Sequence, residues 1–162
     1  MLIREAEPAD WPGIWPFWRR IAADGETIAW HRDTTEEQAR EIWMSRPPNR
    51  LWVAEQDGVI VGSAGQGANY GPASRVASAT YLVDPDRHGQ GIGRRLVRHT
   101  LEQARADGFA AMVFNAVVET NHAAVHLYRS LGFTILATVP DAFPHPRLGP
   151  VGLHLMHRLT TS

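Results

Sequence analysis

Cysteine and lysine are both missing from the sequence. Without cysteine there is no disulfide, no thiolate metal site and no cysteine nucleophile, so any thioester chemistry must use a thiol that a cofactor supplies. All sixteen basic residues are therefore arginine, whose planar fork of donors suits phosphate. There is also no excess of one charge: sixteen basic residues against seventeen acidic ones give a net charge of −1, with none of the broad basic character that a nucleic-acid partner calls for. No apolar run approaches the roughly 20 residues of a membrane helix, and the N-terminus is neither basic nor followed by a hydrophobic stretch, so no membrane association and a cytoplasmic location are expected. No His and carboxylate set has metal-ligand spacing, and no metal is expected.

What is present is the composition of an ordinary globular chain, 44% hydrophobic and 20% charged over 162 residues. That length, with no internal repeat and no linker, predicts a single domain over 1–162. Leu2 to Glu5 reads as a strand. Asp10 can cap a helix carrying Trp11, Trp15 and Trp18 on one face, bent at Pro16. Thr34 and Glu37 form a candidate capping box for a second helix through Ala39, Ile42 and Trp43. Leu51–Glu55 and Val59–Ala64 flank Gln56-Asp57-Gly58 as a hairpin. A connection from Gly65 to Pro72 leads to a strand over Ala77–Val83, then a helix over Gly91–Asp107 that stops at Gly108. Ala111–Val117 is a buried-strand pattern, Asn121 caps a short helix ending at Gly132, and Phe133–Val139 is a strand. Pro140 to Pro150 reads as a proline-rich loop, and Val151–Leu159 as the last strand. The order β1-α1-α2-β2-β3-β4-α3-β5-α4-β6-β7 gives an α/β fold, a mixed six- to seven-stranded sheet with helices on both faces.

The segment Val83-Asp84-Pro85-Asp86-Arg87-His88-Gly89-Gln90-Gly91-Ile92-Gly93-Arg94 joins a strand to a helix through a glycine-rich turn. Glycines let the backbone approach an anion closely, and the free N–H groups and dipole of the first helical turn attract its charge. A Rossmann fingerprint would need glycine at position 94, and a P-loop would need lysine, so neither dinucleotide reading holds. Gly62, Gly65 and Gly67 open no helix and read as plain loop glycines.

This segment resembles the acetyl-coenzyme A binding motif of the GNAT N-acetyltransferases, Val-x-Pro-x-x-(Arg)-Gly-x-Gly-x-Gly before a helix. The run from Asn121 to Phe133, with Ala124, Leu127, Tyr128 and Gly132, is similar to the superfamily's second motif. His88 departs from the usual arginine or glutamine. The resemblance implies that the amides of His88, Gly89, Gln90, Gly91, Ile92 and Gly93, with Arg94, hold the pyrophosphate of acetyl-coenzyme A. It further implies that Leu82 and Val83 pair with the pantetheine arm, that the Val83 amide meets the acetyl oxygen, that Asn121 contacts the cofactor, and that the Tyr128 hydroxyl reaches the sulfur. On spacing alone, Tyr128 lies on the apolar face of its helix and reads as core; the catalytic reading comes from the resemblance.

The implied reaction is transfer of the acetyl group to an amine by direct attack in a ternary complex, since no cysteine can carry it. An alkyl ammonium with a pKa of about 10.4 needs a base or a lowered pKa. Glu119, just before Asn121, Glu26 and His31, in the loop between the first helices, and His145, in the proline-rich segment, are candidates for it, and water could relay the proton instead. Glu26, Trp30, His31 and His145 are candidate acceptor-binding residues, although the tryptophans read better as core. A small-molecule amine is the expected acceptor, an amine, amino acid or antibiotic-like compound as in the phosphinothricin-type branch. A protein or aminoacyl-tRNA acceptor, or a non-catalytic coenzyme A binding module, are the alternatives. The resemblance also raises the expectation of a homodimer.

Overall fold

The sheet expected to have six to seven strands has seven in the computed structural model, which describes residues 1–44 and 47–161. The elements are β1 (Leu2–Glu5), α1 (Trp11–Asp24), α2 (Glu36–Trp43), β2 (Arg50–Gln56), β3 (Val59–Ala68), β4 (Val76–Val83), α3 (Ile92–Ala106), β5 (Ala111–Val118), α4 (His122–Ser130), β6 (Thr134–His145) and β7 (Gly149–Leu159). Across the sheet the order is β1-β2-β3-β4-β5-β7-β6. Only β4 and β5 run parallel, since the crossover through α3 returns the chain to the same edge.

Helices cover both faces. The stripe Trp11, Ile14, Trp18 and Ala22 of α1 is buried against Trp43, Val53 and Leu82, while Val97, Leu101 and Ala104 of α3 pack with Met112, Phe114 and Met156 on the opposite face. Trp18, fully buried, stacks on Trp30 at 4.2 Å. The tryptophans of α1 are therefore mainly core, as their spacing suggested; Trp30 is half-buried.

Three local expectations are corrected. The second helix is capped one residue later than expected: Thr35 accepts from the Gln38 N–H while Gln38 returns a bond to the Thr35 N–H, and Thr34 bonds the His31 carbonyl instead. The Gly65–Pro72 connection is half strand, because β3 continues to Ala68. Its glycines serve packing there, since a Cβ on Gly67 would overlap the Asn49 carboxamide. The proline-rich segment 140–150 is not a loop: β6 and β7 run through it to a turn at 146–148. Proline lacks a donor, but β6 is the outermost strand, where an unpaired edge tolerates it. The first hairpin forms as expected, with Asp57 at φ 51° and Gly58 at φ 78° in the left-handed pair that matches strand twist.

Candidate active site

β4 and β5 pair at only two positions, Val76 with Ala111 and Ala77 with Met112, and then separate. The phase of β4 decides what this splay exposes. Asn69 N–H donates to Val76 O at one end and Asp84 N–H to Val61 O at the other, so the even-numbered residues between them direct their backbone groups to β3. The N–H and C=O groups of Ala79, Tyr81 and Val83 consequently face the gap. Leu82, expected to pair with the cofactor arm, directs its backbone to β3 and its side chain into the α1 core. Ala79 and Tyr81 were not picked out from sequence, although the period of two counted back from Val83 would have found them.

At the end of β4 the chain turns through Gly89 (φ 78°) and Gly91 (φ 76°) into α3. Both glycines are in the left-handed region, where any other residue is strained. Gly91 occupies the N-cap position and offers no side chain to the first turn. As a result, no hydrogen-bond partner among the described residues meets the backbone N–H of His88, Gly89, Gln90, Gly91, Ile92, Gly93 or Arg94; the first bond of α3 is Arg95 N–H to Gly91 O. Seven consecutive free amides at a helix N-terminus form a site for a polyanion. The acidic residues nearby are neutralised: Arg20 of α1 donates to both oxygens of Asp86 at 2.9 and 3.2 Å and holds its carboxyl below the usual range. Arg94 reaches α4 by donating to Ser130 Oγ at 2.9 Å. Asn121 caps α4 by accepting from the Ala124 N–H at 3.3 Å, which leaves its amide NH2 available.

Tyr128 sits on the α3 and α4 side of the sheet, its ring 4.5 Å from Phe114 and 6.2 Å from Tyr81. Burial pushes its hydroxyl well above the ordinary value of 10, so it keeps its proton at neutral pH. Tyr81 is shifted the same way, by burial first, but its hydroxyl is engaged with Thr100 Oγ1 at 2.6 Å. No protein group among the described residues hydrogen-bonds the Tyr128 hydroxyl.

The remaining candidates divide into three places. Glu119 stands at the β5 to α4 corner, where one carboxylate oxygen accepts the Gly152 N–H at 2.7 Å and ties β5 to β7. Trp30 and His31 line a cavity of about 480 Å³ with Thr34, Gln38 and Glu41 beside α2. Glu26 and His145 meet at the β6–β7 turn: Arg147 Nε donates to Glu26 at 2.7 Å, and His145 Nδ1 accepts from the N–H groups of Arg147 and Leu148. Arg147, the exposed residues Thr80 and Asn115, and the half-buried Asn69 went unnoticed in the sequence, because nothing local marks which strand and turn residues the splay leaves open.

The Acetyltransferase (GNAT) family model matches residues 15–133. L-amino acid N-acyltransferase MnaT of Escherichia coli is 29% identical over 146 residues, covering 87% of this chain and 84% of that protein. A GCN5-related N-acetyltransferase of Kribbella flavida superposes with a TM-score of 0.92 at 48% identity, covering 98% of this chain and 96% of the other. The yncA acetyltransferase of Salmonella typhimurium, solved with its cofactor acetyl-CoA, superposes with a TM-score of 0.81 at 26% identity over 99% of this chain and 94% of its own. The glycine turn with its free amides, the splayed strands and these likenesses agree: the chain belongs to the GNAT family of acetyltransferases and is an N-acetyltransferase that uses acetyl-CoA.

Proposed function

We propose that this enzyme acetylates the primary amine of a small molecule by direct attack in a ternary complex, and that it works in the cytoplasm. The observation that carries this is the conjunction of seven free amides at the head of α3 with free strand groups at Ala79, Tyr81 and Val83. The first set fits a pyrophosphate and the second fits an amide-bearing arm laid along β4 as a neighbouring strand would lie. Acetyl-CoA supplies an activated acyl thioester. His88 to Arg94 bind its phosphates through the main chain, so histidine in place of arginine or glutamine at position 88 leaves the donor set intact. The free amides of Tyr81 and Val83 hold the arm and give the acetyl oxygen a donor, and Asn121 adds its amide from α4. Such donors strengthen where charge develops.

Tyr128 holds a proton at the sulfur. One oxygen of Glu119 accepts the Gly152 N–H, which favours a positioning role for it, and Glu26 is engaged by Arg147, so deprotonation of the amine falls to water. MnaT's name, an amino acid acyltransferase, supports a small acceptor for this chain. A homodimer would use the exposed apolar residues Leu136, Val139 and Leu159 of β6 and β7.

The test is amine-dependent release of coenzyme A thiol from acetyl-CoA, native against Tyr128→Phe. Loss of about one to two orders of magnitude in kcat, with acetyl-CoA binding unchanged, is the expected result. Tight cofactor binding with no release for any amine would favour a binding module or a macromolecular acceptor.

A further inference from the structure

Thr80 is exposed although β4 lies in the interior of the sheet, between β3 and β5, and Asn115 and Ala116 are exposed where β5 bulges opposite β7. Along β4 the side chains of Ala77, Ala79 and Tyr81 pack on the α3 side, so Thr80 faces the other side, that of α1 and α2. An exposed residue in the middle of an inner strand marks a place that no helix covers. The α1 and α2 face of the sheet is therefore uncovered there beside the splay, opposite the face that carries Tyr128.

Two bridges flank this uncovered stretch. At the closed end, Asn69 and Asn115 exchange amide hydrogen bonds at 3.0 and 2.9 Å, joining the end of β3 to β5 across β4. At the open end the bridge is ionic. β7 pairs with β5 only as far as Leu153 with Val118, so the 146–148 turn overhangs the C-terminal end of β5. α1 arrives at the same end, since Arg20 pairs with Asp86 just beyond β4, and Glu26 follows six residues later. Arg147 and Glu26 meet there, 121 residues apart in sequence. The turn that presents Arg147 is built for it. His145 is 6% exposed, and its Nδ1 accepts from Arg147 N–H at 3.2 Å and Leu148 N–H at 3.1 Å, which places the neutral ring's own proton on Nε2.

The pair leaves valences unused. Arg147 donates through Nε alone, and both of its terminal nitrogens lack a protein acceptor among the described residues; the second oxygen of Glu26 likewise lacks a donor. An α-amino acid carries a carboxylate and an ammonium on one carbon, the complement of a guanidinium and a carboxylate held side by side. We propose that Glu26 and Arg147 form the recognition pair for an α-amino acid acceptor, Arg147 taking the α-carboxylate through its terminal nitrogens and Glu26 taking the α-ammonium. An exposed ion pair contributes little by itself, so sharing it with a zwitterion costs little, whereas a bidentate guanidinium–carboxylate contact is among the stronger polar contacts. This rests on the reading of the splay as an amine-acetylating site and goes beyond it by naming the acceptor class and the residues that select it.

The test compares L-methionine, its methyl ester and 3-(methylthio)propylamine as acceptors for the native enzyme, Arg147→Gln and Glu26→Gln. The contacts of His145 are to the backbone, so the Arg147 substitution leaves the turn intact. The native enzyme is expected to prefer L-methionine. Arg147→Gln should lower kcat/KM for L-methionine by about tenfold or more, through KM, with the ester and the amine unchanged. Glu26→Gln should raise KM for all three acceptors and leave KM for acetyl-CoA alone. Acetylation of all three amines without carboxylate preference, or an equal loss for all three in Arg147→Gln, overturns the recognition pair and leaves the acetyltransferase reading standing. Failure to acetylate any of the three, or any other amine, overturns both.

Discussion

Gly152 shows how much a single missing methyl decides. A Cβ built there would lie 2.8 Å from Thr138 Cγ2 and 2.9 Å from Glu119 Oε2, and the Gly152 N–H is the donor that Glu119 accepts. Gly152→Ala is expected to destabilise the protein by about 1 to 3 kcal/mol, measured by urea denaturation, because neither neighbour is a free chain end. His99 makes a different residue-scale claim. Burial lowers its pKa below the ordinary 6.5, its Nε2 is buried without a hydrogen-bond partner, and its ring meets Trp52 edge-on at 5.1 Å. Above pH 6.5 the ring is neutral whether folded or unfolded. Below that, the unfolded chain binds the proton first, so stability falls as pH drops from 6.5 through the lowered folded value. Replacing His99 by Gln should flatten this part of the stability curve between about pH 5 and 7, followed by thermal melts across pH.

Elements differ in how well their sequence announced them. α3, α4 and the glycine turn were legible because caps, periodicity and left-handed glycines act within a few residues. The extension of β3 through Gly65 and Gly67, and of β6 through Pro140 and Pro144, was not. Whether a glycine lies in a strand depends on what packs over it, here Trp43, Leu51 and Asn49. Proline in a strand is tolerated only at an edge, and strand order is a long-range property. The same division runs through the site: the glycine turn at the head of α3 could be placed from sequence, whereas the exposure of Thr80 and Asn115 on inner strands and the meeting of Arg147 with Glu26 depend on the formed sheet. The amide bridge between Asn69 and Asn115 supplies a test at this scale. Each single alanine substitution should cost about 0.5 to 1.5 kcal/mol, and the double substitution little more than either, as a double-mutant cycle in urea would show.

At the scale of the whole molecule, the sheet separates two approaches to one gap. The free amides and Tyr128 lie with α3 and α4, and the Glu26–Arg147 pair proposed to take the acceptor joins the segment after α1 to the β6–β7 turn. With no cysteine in the sequence to hold an acyl group, the proposed direct attack needs both reactants bound together. Initial-rate plots against acetyl-CoA at several amine concentrations are therefore expected to intersect; parallel lines would point to an acyl-enzyme. The run of free amides from His88 to Arg94 also bears on how this protein can vary. Every residue type except proline carries the same N–H, so exchanging the side chains of His88 or Gln90 leaves the donors in place. A phosphate site made of these amides, as proposed above, would be written in backbone conformation, held by Gly89 and Gly91, and largely invisible to side-chain scanning. On that reading, selection could redraw the surface around the turn without rewriting how the cofactor is held.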